Sequence, residues 1–131
     1  MKILLIILFV FGNILFESEY RGKSLYTINK VNTIVNQYKY IKEEKNHWSS
    51  ADEFFRKRGG DCEDFVVAKA YLLLKNGFKK QDLAIHIFDN HATLIVIFEN
   101  KLYELDNNYF RPQKPKNIGK FITINKINKL I

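Results

Sequence analysis

Gly59-Gly60-Asp61-Cys62-Glu63-Asp64-Phe65 opens the segment on which the reading of this chain turns. Asp61 is a helix N-cap residue, because its short carboxylate accepts from the unpaired backbone N–H groups of a first helical turn. The helix that it announces runs from Cys62 to about Asn76 and stops at Gly77. Between Phe65 and Leu74 only Lys69 is charged, and Phe65, Val66, Ala68, Leu72 and Leu73 make the helix apolar on most sides. Such a helix is buried by its neighbours rather than laid on a surface. Cys62 is the only cysteine of the chain, so it cannot take part in an intramolecular disulfide. A small buried hydrophobe, an intermolecular link and a reactive thiol are the roles left to it. Its position bears on the choice, since the positive end of the helix dipole favours the thiolate, the nucleophilic form.

Upstream of this segment, Ile28, Val31, Ile34, Val35, Tyr38 and Ile41 fall in one stripe at helical spacing, which predicts an amphipathic helix over 28–41. A polar loop follows, to Trp48. Ser50 and Glu53 then have the spacing of a capping box, opening a short helix through about Arg58 with Phe54 and Phe55 inward. Gly59-Gly60 is expected to close it, because glycine accepts the left-handed conformation. Downstream the period changes to that of strands. Three short runs, 83–88, 91–98 and 101–105, are split by Asp89-Asn90 and Glu99-Asn100, pairs suited to tight hairpins. A last strand is expected over 121–124, after the loop between Pro112 and Pro115. Helices first and an antiparallel meander second make an α+β fold, with the cysteine at the exposed front of a helix packed on the sheet.

The 131 residues suffice for one domain with a working core. The start of the chain, one lysine followed by about nine apolar residues, reads as a secretory signal peptide or an uncleaved anchor. We therefore expect residues 1–18 to be a leader and 19–131 the domain, exported to the periplasm or cell envelope. The net charge of +7 is spread over scattered lysines with no arginine stripe or stacking motif, which argues against nucleic acid. One cysteine and three separated histidines give no zinc-ligand spacing.

A thiolate that attacks an acyl group needs a base, and the base needs a third group to hold its tautomer. His47 lies in a lysine-rich loop and His86 lies mid-strand. His91 begins the central strand directly after a turn, and Asp106 ends the next one. Antiparallel pairing across Glu99-Asn100 returns Asp106 to the neighbourhood of His91–Thr93, with Cβ atoms of cross-strand neighbours about 5 Å apart. The constellation expected is Cys62, His91 and Asp106. Each has a bland alternative: packing for the cysteine, a structural place for the strand histidine, a plain turn for the aspartate. Their joint arrangement is what favours chemistry.

Trp48-x5-Phe54-Phe55, Gly60-Asp61-Cys62-Glu63-Asp64-Phe65, Ala68-Lys69-Ala70-x-Leu72, Gly77, His91-Ala92-x-Leu94-x-Val96 and Leu105-Asp106-Asn107 together resemble the bacterial transglutaminase-like cysteine peptidases. The resemblance covers roughly 31–107. It implies a papain/transglutaminase-like fold and a Cys62–His91–Asp106 triad working through an acyl-thioenzyme. As protein substrate it implies a cell-envelope or surface protein such as a large adhesin, clipped near a double alanine, and it brings in a membrane-bound regulatory protein. Thr93 stands where a valine is usual, Ala70 where an aromatic residue is expected, and the chain is short for the family.

Asp61, Glu63 and Asp64 crowd negative charge around the thiol and oppose its ionisation, which a bound cation would reverse. The resemblance implies calcium there, with Asp61 and Glu63 as ligands. The other reading makes these acids dipole partners of a first turn. Trp48 either lines the cleft or packs in the core. Two further functions stay open: acyl transfer to an amine, and an idle module that holds calcium or a partner.

Overall fold

The computed structural model describes residues 22–43 and 47–131, so the leader expected over 1–18 lies outside the described residues. Among the described residues no helix is long and apolar enough to cross a membrane. The elements are helix α1 (Leu25–Asn36), strand β1 (Lys39–Tyr40), helix α2 (Ala51–Lys57), strand β2 (Gly59–Gly60), helix α3 (Cys62–Lys75), strands β3 (Leu83–Phe88), β4 (His91–Phe98) and β5 (Lys101–Leu105), and strand β6 (Lys120–Thr123).

Helix α3 is the centre of the molecule. Phe65, Val66, Val67, Ala68, Ala70, Leu72 and Leu73 are all buried, against α1 and α2 on one side and the sheet on the other. This is the outcome expected of a helix that is apolar nearly all round. The sheet has the order β5-β4-β3-β6 and is antiparallel throughout. Ala92, Leu94 and Val96 of β4 join the core beneath α3, while His91, Thr93 and Ile95 alternate onto the other face. Both hairpins turn on pairs with positive φ, Asp89-Asn90 and Glu99-Asn100. That is the backbone a two-residue hairpin requires, and Asn and Asp tolerate it better than most residues.

The structure departs from expectation in three places. Helix α1 ends at Asn36 rather than 41, and Lys39-Tyr40 leaves it to form a parallel two-residue pairing with Gly59-Gly60. The left-handed residue that closes α2 is Arg58, with φ 61°, and not a glycine. The glycines are there for proximity. A Cβ on residue 59 would lie 2.0 Å from the Lys39 carbonyl oxygen, and one on residue 60 would lie 2.5 Å from the Asp64 carboxylate. The last strand, finally, covers Lys120–Thr123 rather than 121–124, and it lies at the far edge of the sheet beside β3.

Candidate active site

Helix α3 begins with a reciprocal cap. The Asp64 N–H donates to Asp61 Oδ1 (3.3 Å) and the Asp61 N–H donates to Asp64 Oδ2 (3.0 Å). The second Asp64 oxygen accepts from the Ser49 N–H at 2.6 Å, which ties the loop before α2 to the front of α3. Cys62 is the first helical residue, half-buried and held between these two acids.

His91 stands at the first position of β4. Its Nε2 lies 2.8 Å from Asp106 Oδ1, and the Asn108 N–H donates to that same oxygen at 2.9 Å. With Nε2 engaged by Asp106, Nδ1 is the nitrogen left for Cys62. Hydrogen bonding to Asp106 first and Cys62 second pushes the imidazolium up to about 10, against the opposing effect of its partial burial. Asp106 is buried, which by itself raises its carboxyl, yet His91, the Asn108 N–H and Lys69 bring it below the ordinary value. The structure thus brings Cys62, His91 and Asp106 into one constellation. His47 lies apart, exposed, with Glu53 at 3.6 Å.

Residues with no motif of their own complete the surroundings. On α1, Asn36 Nδ2 donates to the backbone oxygens of Asp106 (3.0 Å) and Tyr109 (2.9 Å), and Asn32 Nδ2 to those of Tyr109 and Phe110. Two asparagines therefore hold the turn that follows the aspartate. A cleft of about 350 Å³ beside His91 is lined by Asn36, Tyr38, Tyr40, Phe65, Asn107 and Asn108. Tyr40 feels burial and then the charge of Cys62, both of which raise its phenol. Sequence periodicity had absorbed Tyr38 into a helix stripe and had nothing to say of Tyr40. Trp48 is partly buried and packs against the core.

The acids around Cys62 are under strain of charge. Burial, then Asp61, Asp64 and Glu43, push Glu63 up to about 7. Burial likewise raises Asp64 to about 6, although two backbone N–H groups oppose it. Carboxylate oxygens of Glu43, Asp61 and Asp64 lie within 4.8 Å of one another, an arrangement able to hold a metal ion. Asp61, a ligand expected from sequence, belongs to this group; Glu63 stands next to it, and Glu43 comes from a loop that the motif does not include. Lys57 bonds Glu43 at 2.6 Å and holds its carboxyl low.

Residues 15–125 match the model of the bacterial transglutaminase-like cysteine proteinases (BTLCP). No curated protein is a significant match. Among solved structures, calcium-bound LapG of Legionella pneumophila superposes with a TM-score of 0.69 at 22% identity, covering 87% of this chain and 79% of that one. Its EGTA-treated form gives 0.70, again at 22% identity, with 89% and 76% covered. Another LapG structure gives 0.68, with 90% and 83% covered at the same identity. The likeness to LapG carries the transglutaminase-like fold. The family match carries membership: this chain belongs to the bacterial transglutaminase-like cysteine proteinases and is a cysteine peptidase.

Proposed function

We propose that this peptidase is an exported endopeptidase that cuts a cell-envelope or surface protein, such as a large adhesin, with Cys62 as nucleophile, His91 as base and acid, and Asp106 as the residue that orients it. The domain is 19–131 and the leader 1–18. The observation that carries the reading is His91, bonded through Nε2 to Asp106 at 2.8 Å and sharing its other side with Cys62.

His91, its imidazolium favoured, takes the Cys62 proton and pairs with the thiolate so formed. The Cys62 sulfur attacks the scissile carbonyl carbon, and the oxyanion is met by the backbone N–H of Cys62 at the open first turn of α3. The C–N bond breaks as His91 delivers its proton to the leaving amine. Water then gives a proton to His91 and its hydroxyl to the acyl carbon, the C–S bond breaks, and the thiolate–imidazolium pair is restored. Asp106 stays ionised throughout and holds the ring. The neighbouring Tyr40 and Tyr38 offer aromatic walls to an extended peptide in the cleft.

Calcium fits the acid group. Glu43, Asp61 and Asp64 supply hard oxygens in mutual reach, and burial first and neighbouring carboxylates second raise Glu63 and Asp64 above the usual carboxylate range, a balance that a cation would reverse. Asp61 and Glu63 would hold the ion with Glu43 and Asp64 beside them. When bound, it supplies positive charge next to Cys62. The calcium-bound form of LapG supports this choice of ion. A membrane-bound regulatory protein as partner remains part of the reading.

The test is mass spectrometry of the purified domain after an epoxide inhibitor of thiol peptidases. A single adduct on Cys62, absent in Cys62→Ala and slowed in His91→Ala, is expected. Equal labelling of wild type and His91→Ala would sink the triad. Products then separate water from amine as acyl acceptor: a free carboxyl end, or a new amide when an amine is supplied.

A further inference from the structure

The face of the sheet turned away from α3 carries a second, buried polar constellation that the proposed reaction does not use. His86 of β3 is wholly buried, with Nδ1 2.6 Å from Glu104 Oε2. Thr93 of β4, equally buried, donates its hydroxyl to that same oxygen at 2.7 Å. Glu104 belongs to β5, so its carboxylate crosses over β4 to reach β3 and joins three strands by side chains alone. The buried His86 Nε2 has no hydrogen-bond partner among the described residues.

This constellation lies directly behind the reactive one. Thr93 follows His91 by two residues on β4, so the two share a sheet face, and Glu104 of β5 precedes Asp106 by two, Asp106 standing just past the strand's end. Rings connect them as well. His86 stacks on Phe121 at 4.5 Å and contacts Phe88 at 4.7 Å, and Phe88 meets the His91 ring edge-on at 5.5 Å. His91 thus has Asp106 at its Nε2, Cys62 on its other side and Phe88 against its ring. Phe88 in turn contacts His86, and His86 is bonded to Glu104.

A buried charged group is a costly way to obtain stability, because apolar residues of like volume often do as well or better. Three buried polar side chains in one place therefore leave room for a role beyond stability. We propose that Glu104 is a positioning residue for the His91–Asp106 pair, acting through Thr93 and His86 to hold β3, β4 and β5 at the spacing that keeps His91 aimed at Cys62. This rests on the triad reading above. The network gives the reacting imidazole a rigid wall without touching the thiol.

Two readouts test it: the rate of Cys62 alkylation by iodoacetamide, and the imidazole nitrogen shifts of His91 in NMR. Wild type and His91→Ala are compared first; equal rates would tell against the triad and overturn this proposal with it. The decisive protein is the triple variant His86→Leu, Thr93→Val, Glu104→Met, which replaces every member by an apolar side chain of similar size. We expect its melting temperature to be kept or raised, its alkylation to fall about tenfold or more as a displaced reactant would, and its His91 shifts to move. A stable triple variant with wild-type rate and shifts overturns the proposal and leaves the network as packing. Should the triple variant fail to fold, Glu104→Gln decides: a folded protein with slowed alkylation and moved His91 shifts supports the proposal, while unchanged values overturn it.

Discussion

The two histidine–carboxylate pairs of this sheet differ little in their bonds and greatly in their surroundings. His91 and Asp106 approach to 2.8 Å, His86 and Glu104 to 2.6 Å. The His91 side chain is 20% exposed, whereas that of His86 is not exposed at all. One pair opens on a cleft and a thiol; the other ends in an orphaned nitrogen and a threonine hydroxyl. An imidazole held by an acid is common to both, so access and a neighbouring thiol are what distinguish the pair proposed to react.

The sharpest way to break this contrast is His91→Ala. We expect peptidase activity to fall by about 10²–10⁴-fold, the scale of a lost general base, with the fold retained. His47→Ala, at an exposed site, should change neither activity nor stability. A full-rate His91→Ala enzyme would abolish the distinction between the pairs.

His86→Ala should invert the pattern. It leaves a cavity and takes one of two hydrogen-bond partners from the buried Glu104, so the main loss is stability, about 2–5 kcal/mol by chemical denaturation. Its residual folded fraction should label at Cys62 more slowly than wild type, because His91 loses the wall that His86 and Phe88 give it. A stable His86→Ala protein devoid of labelling would mean that the buried histidine takes part in the chemistry.

Asp106→Asn sharpens the account of the reactive pair. The amide keeps shape and removes the charge that supports the imidazolium, so a loss of about 10–10²-fold is expected, between His91→Ala and His47→Ala. The high His91 value should drop toward neutrality in an NMR titration, since Asp106 is its largest cause. An unmoved titration would assign that stabilisation elsewhere.

Lys69 probes what lies beneath. Burial holds this ammonium down to about 7, with Asp106 opposing. Its folded value lies below the unfolded one, so the folded chain binds fewer protons between about pH 7 and 10.5, and stability from this group rises across that window. Lys69→Met should therefore gain about 1–3 kcal/mol near pH 6, as replacement of a buried charge often does, and little near pH 10. Equal melting temperatures for both proteins across that range would place the ammonium in water.

The smallest effect concerns the acids at the front of α3. Glu63 is raised to about 7 and Asp64 to about 6, above their unfolded values. Their contribution to stability is full below about pH 4 and is lost as pH rises through 6 and 7. With EGTA, melting temperatures should decline over that interval; with calcium, the decline should vanish. Glu63→Gln should blunt it in either buffer. A decline that calcium leaves untouched, with no heat of binding in calorimetry, would make the acids dipole partners of a first helical turn and no more.

Local rules made much of the molecule legible. The Asp61 cap, the Ser50–Glu53 capping box, the bounds of β3, β4 and β5 and both hairpin turns follow from neighbours a few residues apart. Hairpin pairing also carried Asp106 back to His91, because a two-residue turn sets the register. Asn32, Asn36, Tyr40 and Glu43 were not legible. Their partners are Tyr109, Phe110, Asp106, Cys62 and the α3 acids, and no short-range pattern links those positions.

The sequence by itself determined a buried helix fronted by one cysteine, a hairpin that pairs a histidine with an aspartate, and a family signature joining them. Each rests on helical or strand periodicity, capping or turn geometry, which act over a handful of residues. Only the tertiary structure decided that His86 is sealed in the sheet against Glu104 and Thr93. Nor did local pattern show that Gly59-Gly60 serves close backbone approach to Lys39 and Asp64, or that Glu43 joins Asp61 and Asp64. Those outcomes depend on how elements far apart in the chain pack, and burial is a property of the packed whole.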